Sequence, residues 1–356
     1  MNKTIVKETD FEKKWYHLIP GILFCLVIAL PSWLLGKEFP LIGGPIFALV
    51  MGILLTLFFP NLVSNTIKNK FGNVLCLQNG VQYTSKKLLQ YSIILLGFEM
   101  NFYSIIKVGS QSLIIMLFTL SFAFLTAFLV GKALKLSGNI TTLIGVGTSI
   151  CGGSAIAATA PIIKAKNEDV SQAISTIFLF NIIAVFIFPI FGRMMGMSDV
   201  SFGIWAGTAI NDTSSVVAAG SAWSTEAGNN LALQTATIVK LTRTLMIIPI
   251  AFFLAFYLTR QKKITSDFKF TKVFPWFVVF FGIAALLNTF AGLPIAVTTF
   301  LTETGKFIII MALGAIGLNT NIKNLITNGV KPLILGISCW FVVAIVSIII
   351  QVILGI

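Results

Sequence analysis

Two polar interruptions contain the residues of this chain that are best suited to bind a small solute. One runs from Gly145 to Pro161 and the other from Ala206 to Gly220, each within apolar surroundings. Glycine in a helix interior costs about 1 kcal/mol relative to alanine, so the glycines of the first stretch disfavour a continuous helix. Backbone groups freed at membrane depth need partners in the protein or in a water-filled cavity. Both stretches therefore predict discontinuous helices that present backbone and hydroxyl groups to a substrate.

The candidate substrate-binding residues of these stretches are mostly small or hydroxyl-bearing. Close helix packing is the competing interpretation, because small residues let transmembrane helices approach each other. The density of helix breakers beside hydroxyl residues favours a binding site, although the two roles do not exclude each other. The candidates are Gly147, Thr148, Ser149, Gly152, Gly153 and Ser154 in the first stretch and Asn211, Thr213, Ser214 and Ser215 in the second.

Three charged residues and one isolated amide fall within apolar segments, where such residues are costly and often mark a transport pathway: Asp212, Lys240, Arg243 and Asn181. Lys240 and Arg243 are three residues apart and therefore share a helix face. They could form structural ion pairs with Asp212 or Glu226, or extend to the membrane interface. Alternatively, one of them faces a cavity and attracts an anion, for which the guanidinium fork is well suited. The sequence leaves both interpretations open.

The composition places these residues in a polytopic, all-α membrane protein. Of 356 residues, 56% are hydrophobic and 10% are charged, whereas soluble domains carry about 25% charged residues. Residues 1–17 lack the apolar core of a signal peptide, so we expect a cytoplasmic segment there and one membrane domain over residues 18–356. Apolar runs of about 20 residues predict transmembrane helices. We find eleven, near residues 18–36, 41–60, 83–100, 110–134, 138–164, 170–192, 200–221, 230–259, 273–291, 303–319 and 329–353.

The distribution of lysine and arginine predicts the orientation. If the N-terminus is cytoplasmic and each segment crosses once, 18 of the 25 basic residues fall on the cytoplasmic side and five on the outer side. The C-terminus is then expected outside. This bias accounts for most of the net charge of +13, so we expect no nucleic-acid partner. The five outer residues are Lys37, Lys107, Lys164, Lys166 and Lys306, while Lys240 and Arg243 lie within a segment.

Two parts of the chain are similar at a constant offset of 220 residues. Gly97-Phe-Glu-Met-Asn101 and the helix after it match Gly317-Leu-Asn-Thr-Asn321 and the helix after that. The copies are seven crossings apart, so they would be inverted in the membrane, as is typical of secondary transporters. Chance similarity of two apolar helices is the alternative. The two polar interruptions do not fall at this offset.

The residues give little support to chemistry beyond binding. Four scattered cysteines and a single histidine, His17, show no metal-ligand spacing and no disulfide framework, so we expect no metal and no cofactor. An enzyme needs a nucleophile with a base or a metal, and we therefore expect none here. The chain also lacks a phosphate-binding loop motif for ATP, which favours transport driven by a gradient.

Three segments resemble the signature segments of the YeiH-type family of bacterial inner-membrane proteins, whose members carry the label of sulfate exporters. They are Gly147-Thr-Ser-Ile-Cys-Gly-Gly-Ser154, Gly207-Thr-Ala-Ile-Asn-Asp-Thr-Ser-Ser215 and Val239-Lys-Leu-Thr-Arg243. The resemblance covers about residues 18–356 and implies a multi-pass protein of the bacterial inner membrane. A more distant resemblance to the cation/proton antiporter and bile-acid symporter superfamily implies inverted repeats, discontinuous helices and a scaffold part that could form a homodimer. The chain departs from the antiporters because its Asn211-Asp212 pair lies on the second interruption.

We therefore expect a secondary active transporter of a small anion, with sulfate or a sulfonate-like solute as the first candidate. Half-helix N-termini near residues 145–154 and 207–215 would each carry roughly half a positive charge and attract anions. Asp212 would couple transport to H⁺ or Na⁺. The alternative is a Na⁺/H⁺-type cation antiporter in which Asp212 binds the cation, and Lys240 or Arg243 is its counter-charge.

Overall fold

The computed structural model describes residues 17–39, 43–59, 63, 67–68, 74–75, 77–250, 253, 274–320 and 329–356. Residues 1–16 of the predicted cytoplasmic segment, and Asn321 of the predicted repeat, lie outside these ranges. The described part is helical, apart from a two-residue strand, Ile67–Lys68, that pairs antiparallel with Val74–Leu75.

The helices are numbered here in chain order. They are α1 Ile19–Glu38, α2 Gly44–Phe58, α3 Leu77–Tyr83, α4 Leu89–Leu96, α5 Phe102–Ala133, α6 Gly138–Ser149, α7 Gly153–Ile162, α8 Asn167–Met194, α9 Asp199–Ala209, α10 Thr213–Ala227, α11 Leu231–Leu245, α12 Trp276–Phe290, α13 Ile295–Asn319 and α14 Val330–Leu354. A π-helical turn, Thr84–Leu88, joins α3 to α4, and a 3₁₀ turn, Gly97–Glu99, ends α4.

Six helices of the described part are long and apolar enough to cross a membrane. They are α1, α5, α8, α11 with its continuation to Ile250, α13 and α14. The all-α fold with several membrane-crossing helices is thus confirmed, whereas the count of eleven crossings is not. Helices α2 and α12 are shorter, with 15 residues each.

Helices α6 and α7 form a re-entrant hairpin, hairpin 1, whose two ends lie at the same end of the molecule. Leu134 and Leu136, just before α6, share an apolar cluster with Ile163, just after α7. Near the tip, a Cβ on Gly147 would lie 2.9 Å from Cδ1 of Ile156, so the two arms run side by side. The chain therefore enters hairpin 1 and leaves it on the same side.

Helices α9 and α10 form a second re-entrant hairpin, hairpin 2. At its base, Asp199 at the start of α9 accepts hydrogen bonds from Trp223 Nε1 at 2.7 Å and from Asn229 Nδ2 at 2.9 Å. Phe202 also stacks on Trp223, with ring centroids 4.0 Å apart. These contacts join the first turn of α9 to the end of α10 and close the base of the hairpin.

Helix α8 shows that the hairpins enter from opposite ends of the molecule. Ile177, in its first half, packs in the cluster at the base of hairpin 1. Phe188, in its second half, stacks on Trp205 of α9 at 4.1 Å, and a Cβ on Gly192 would lie 2.7 Å from Phe202. The 28 residues of α8 span about 42 Å at 1.5 Å per residue. The two tips therefore point toward each other in the interior.

Segments 138–164 and 200–221 are each predicted to cross the membrane once, and in this respect the prediction is wrong. The breaks themselves, at residues 150–152 and 210–212, lie within the predicted interruptions. Each segment has enough apolar residues for a crossing, and the pattern does not reveal that the chain turns back at the break. Tertiary contacts of the two arms with α8 and with each other decide the direction.

Helix α11 packs closely along the first arm of hairpin 2. A Cβ on Gly203 would lie 2.9 Å from the carbonyl oxygen of Ala232, and one on Gly207 would lie 2.8 Å from that of Ala236. Any side chain at these two glycines would separate the helices. This contact fixes the register in which α11 presents its polar residues to the hairpin tips.

Candidate functional site

The tips of the two hairpins meet at Gly152 and Asp212. Gly152 has a φ of 67°, a left-handed conformation that strongly favours glycine. A Cβ at this position would also lie 3.4 Å from Cβ of Asp212 and 3.5 Å from its Oδ1. The backbone conformation therefore favours glycine here, and the two chain breaks lie in van der Waals reach of each other. Both residues are among the predicted site residues, and the structure brings them together.

Lys240 joins the two tips through main-chain carbonyl groups. It lies on α11 and is fully buried. Its Nζ donates to the carbonyl oxygen of Ile150 at 2.9 Å and to that of Ile210 at 2.9 Å. Ile150 follows the last residue of α6, and Ile210 follows the last residue of α9. The ammonium group thus lies where two helix C-termini concentrate negative partial charge.

Arg243 binds the same two helix ends one turn further along α11. Its Nε donates to the carbonyl oxygen of Ser149 at 2.7 Å, and one terminal nitrogen donates to that of Thr148 at 2.5 Å. The other terminal nitrogen donates to the carbonyl oxygen of Thr208 on hairpin 2. Arg243 is also fully buried. Its guanidinium group satisfies carbonyls that the helix ends would otherwise leave without partners.

The partners of these two cations differ from the predicted structural ion pairs. Within the described ranges, no salt bridge joins Lys240 or Arg243 to Asp212 or Glu226. Glu226 pairs instead with Arg193 at the base of hairpin 2. Side-chain spacing could not reveal this arrangement, because the acceptors are main-chain carbonyls that every residue carries.

Asp212 caps the helix that follows it. Its Oδ2 accepts the backbone N–H of Ser214 at 3.0 Å and also accepts the Ser214 hydroxyl. The backbone N–H of Asp212 itself donates to Oδ1 of Asn181 at 3.2 Å. An aspartate at this position satisfies an unpaired N–H and carries a charge that the helix N-terminus favours. The N-terminus of α10 therefore has a side-chain cap and a negative charge from within the chain.

The N-terminus of α7 has no such cap. Gly152 is its cap residue and offers no side chain. The backbone N–H groups of Gly153, Ser154 and Ala155 form no hydrogen bond with the described residues. A Cβ on Gly153 would meet no atom within 4 Å, and Ser154 is exposed. In the described part of the chain, the N–H groups at this helix end are therefore open, beside the meeting point of the tips.

Three polar side chains near the tips are buried without a complete set of partners. Thr148 Oγ1, Asn181 Nδ2 and both polar side-chain atoms of Asn211 have no hydrogen-bond partner. Asn181 is 2% exposed and Asn211 is 1% exposed. A buried polar group without a partner costs roughly 1–3 kcal/mol. Unsatisfied donors and acceptors at this density are characteristic of a site that a ligand or water completes.

The remaining candidates have different local roles. The hydroxyl of Ser149 donates to Gly145 O at 2.6 Å, and that of Ser154 lies 3.4 Å from Cys151 O. Thr213 is half-buried and Ser215 is buried. A Cβ on Gly147 would lie 2.9 Å from Ile156 and 3.1 Å from Ile177, so Gly147 serves close packing. Close packing thus explains Gly147, and the binding role of the other residues of the first interruption stays a prediction. No cluster of metal-ligating side chains is found in the described ranges.

Comparison with known proteins identifies the family. Residues 20–336 match the family described as conserved hypothetical protein 698. The chain is 47% identical over 351 residues to a UPF0324 membrane protein of Fusobacterium nucleatum, covering 94% of this chain and 98% of that protein. It is 48% identical over 340 residues to a UPF0324 membrane protein of Streptococcus agalactiae, covering 95% and 98%. A UPF0324 membrane protein of Streptococcus mutans is 46% identical over 349 residues, covering 96% and 98%. The chain therefore belongs to the conserved hypothetical protein 698 family, which includes these UPF0324 membrane proteins.

Proposed function

We propose that the protein is a secondary active transporter of a small anion, and that the anion binds between the tips of hairpins 1 and 2. The observation that carries the proposal is the charge at the tips. Among the described residues, two buried cations, Lys240 and Arg243, lie there with a single carboxylate, Asp212. The fixed side-chain charge is thus one positive charge in excess. Net charge in a membrane interior is costly, and a bound anion compensates it.

The orientation of the helix ends supports an anion over a cation. The carbonyl-bearing C-termini of α6 and α9, which would attract a cation, are occupied by Lys240 and Arg243. The N–H groups at the start of α7 are open, and helix N-termini bind anions. The carbonyls that coordinate Na⁺ in other transporters with broken helices are therefore already in use, whereas a donor surface remains. Sulfate or a sulfonate-like solute is the first candidate.

Asp212 is the proposed coupling residue. It is the one carboxylate at the tips in the described part of the chain, it is half-buried, and its Oδ1 faces Gly152. Protonation of Asp212 would raise the excess positive charge at the tips by one. Binding of an anion with two negative charges would then be compensated by one proton, which couples the anion to H⁺. Na⁺ is the alternative coupling ion.

Re-entrant hairpins also sharpen the proposed topology. The eleven apolar segments become nine crossings and two hairpins, with the N-terminus still cytoplasmic and the C-terminus outside the bacterial inner membrane. Lys164 and Lys166 move to the cytoplasmic side and Arg193 to the outer side. The bias of 18 to five therefore becomes 19 to four. The better charge separation supports the revised topology.

A cysteine at Lys166 tests this topology in a background without the native cysteines. We expect it to react with a membrane-impermeant reagent only in inverted vesicles, because the base of hairpin 1 is cytoplasmic. Reaction in intact spheroplasts would instead support eleven single crossings.

We propose that the two copies of the inverted repeat are circularly permuted. In the first copy the helix before the hairpin directly precedes it in sequence, whereas in the second copy the corresponding helix comes at the end of the chain. Helix α5 leads into hairpin 1, and α8 follows it. The end of α14 lies beside the start of hairpin 2, where Ile350 and Ile356 share an apolar cluster with Val200 and Ile204, and α11 follows hairpin 2. Helices α5 and α14 pack against each other, with Cys339 Sγ 3.9 Å from the carbonyl oxygen of Ala123. In this arrangement α14 corresponds to α5, as the 220-residue offset predicts. The two hairpins also correspond to each other, although they are separated by far fewer than 220 residues.

Transport by the purified protein in liposomes tests the function. We expect uptake of labelled sulfate or of a labelled alkyl sulfonate that depends on an imposed pH or Na⁺ gradient. Liposomes with the Gly153→Leu variant serve as the negative control, because this change at the tip of hairpin 1 should abolish the uptake. Alkalinisation of the lumen on addition of external Na⁺ without any added anion, together with no anion uptake, would support the cation antiporter instead.

A further inference from the structure

We propose that the ammonium group of Lys240 is a tethered substitute for an exchangeable monovalent cation at the meeting point of the two hairpin tips. This goes beyond the proposed anion site, because it concerns the negative ends of the broken helices and not their positive ends. It implies that the tips need no bound Na⁺ to hold together. The inference does not require the transported solute to be an anion.

The geometry around Nζ is that of a small cation site. Its two acceptors, the carbonyl oxygens of Ile150 and Ile210, belong to different hairpins and are both 2.9 Å away. Each follows the last residue of a helix that ends at the tip, so the two carbonyls have no continuing helix to pair with. Carbonyl oxygens at broken-helix ends are the groups that coordinate Na⁺ in transporters. Here the same groups surround a charge that is covalently attached to α11.

The residue after one of the two acceptors has a buried side-chain oxygen without a partner. Asn211 directly follows Ile210 and is 1% exposed, and its side-chain oxygen has no partner. An ammonium group has three N–H donors, of which two are accounted for by the carbonyls. Lys240 is fully buried, and the described residues place no carboxylate in an ion pair with it. The ammonium group is thus held directly by carbonyl oxygens and not by a carboxylate, as a bound monovalent cation would be.

Arg243 has a different role. Its guanidinium spreads three donors over three carbonyls of the two hairpins. A planar group of this kind cannot be replaced by a spherical ion. Only the position of the Lys240 ammonium is therefore expected to accept an exchangeable cation.

The test compares the melting temperature of purified variants in chloride salts of sodium, methylammonium and choline at one ionic strength. Lys240→Ala removes the ammonium and leaves room for a small cation. In choline chloride we expect it to melt on the order of 10 °C below the unmodified protein, because breaking a buried charged contact is strongly destabilising. In methylammonium or sodium chloride we expect it to regain at least half of this loss, with saturation.

Two matched variants make the result specific. Lys240→Met also removes the charge but fills the space, so its melting temperature should not depend on the choice among the three cations. Lys306→Ala removes a lysine that pairs with Glu303 on the surface at 2.7 Å and should show no dependence either. The unmodified protein should melt at the same temperature in all three salts.

Several results would overturn the proposal. If Lys240→Ala had the same melting temperature in all three salts, the ammonium group would only stabilise the structure and would not occupy a cation site. The same conclusion would follow if this variant failed to fold in any of them, since an exchangeable site must accept a free cation. A saturable effect of Na⁺ on the unmodified protein would show that the cation site lies elsewhere. None of these measurements contains a transported oxyanion, so they stand or fall separately from the transport assay.

Discussion

The two hairpin tips are built from similar parts but differ in how their second helix begins. Asp212 precedes α10 and caps the N–H of Ser214, whereas Gly152 precedes α7 and has no side chain that could cap an N–H group. The bases of the two hairpins also differ, because one is closed by polar contacts and the other by apolar contacts. Hairpin 2 is held by the hydrogen bonds of Asp199 and by the Arg193–Glu226 ion pair, while the base of hairpin 1 is an apolar cluster. The second helix of hairpin 2 thus begins with a side-chain cap and a negative charge, whereas the first N–H groups of the second helix of hairpin 1 have no side-chain cap.

The largest expected effect is at the open tip. Gly153→Leu should abolish transport, because its side chain would enter the open space beside the unpaired N–H groups of α7. Its melting temperature should change by no more than about 3 °C, since a substitution into open space shifts stability by about 0.5 kcal/mol or less. Uptake in liposomes and thermal unfolding would be measured on the same sample.

Gly282→Leu is the matched control for that change, because a Cβ on Gly282 of α12 also meets no atom within 4 Å. This variant should transport normally. Thr213→Leu, at the first position of α10, should retain measurable transport because Asp212 already satisfies that helix end. If Gly153→Leu lost folding and transport together, close packing would explain the first tip better than ligand binding.

The second largest effect on transport is expected at the tip of hairpin 2, where Asp212 caps α10. Asp212→Asn should remove the dependence of transport on the ion gradient while leaving anion binding, because asparagine still caps α10 but carries no charge. Stability should fall by no more than about 1 kcal/mol. Substrate affinity as a function of pH, with and without Na⁺, measures the change.

The double variant Asp212→Asn with Arg243→Gln separates coupling from structure. Arg243 binds carbonyls and forms no salt bridge with Asp212, so the second change should destabilise further and restore nothing. Full rescue of stability and transport would instead show that the two residues act as an ion pair.

The smallest effect is expected at the base of hairpin 2. Asp199→Asn removes a charge that favours the start of α9 and weakens at least one of two hydrogen bonds, at a cost of about 1 kcal/mol. Amide hydrogen exchange should increase at the ends of α9 and α10 and stay unchanged in hairpin 1. Equal acceleration in both hairpins would contradict the idea that each base closes independently.

Sequence patterns predicted the parts of this structure that depend on residue type. Apolar length located the eleven segments, glycine density with adjacent hydroxyls located the first break, and the polar run 211–215 located the second. Costly charges in apolar surroundings singled out Asp212, Lys240 and Arg243, of which the last two lie on α11 and contact the tips. Each of these signals is local, so a single chain is enough to see it.

Two features could not be predicted because they depend on partners distant in sequence. The return of each hairpin is decided by contacts such as those of Asp199 with Trp223 and of Gly147 with Ile156. The acceptors of Lys240 and Arg243 are main-chain carbonyls, which leave no trace in residue identity. The role of Gly152 could be predicted only in part. Its residue type indicated a helix break, but the sequence did not indicate that it lies next to Asp212.

The close contact of Gly203 and Gly207 with α11 has a mechanical consequence. It makes the first arm of hairpin 2 and α11 a single stiff unit, so Lys240 and Arg243 travel with hairpin 2 in any large motion. Their hydrogen bonds to the carbonyls of Thr148, Ser149 and Ile150 then attach this unit to the tip of hairpin 1. Parting the tips would leave those three carbonyls without donors, at roughly 1–3 kcal/mol each unless water replaces the donors. Water entering between the tips would thus be the event that allows hairpin 1 to slide.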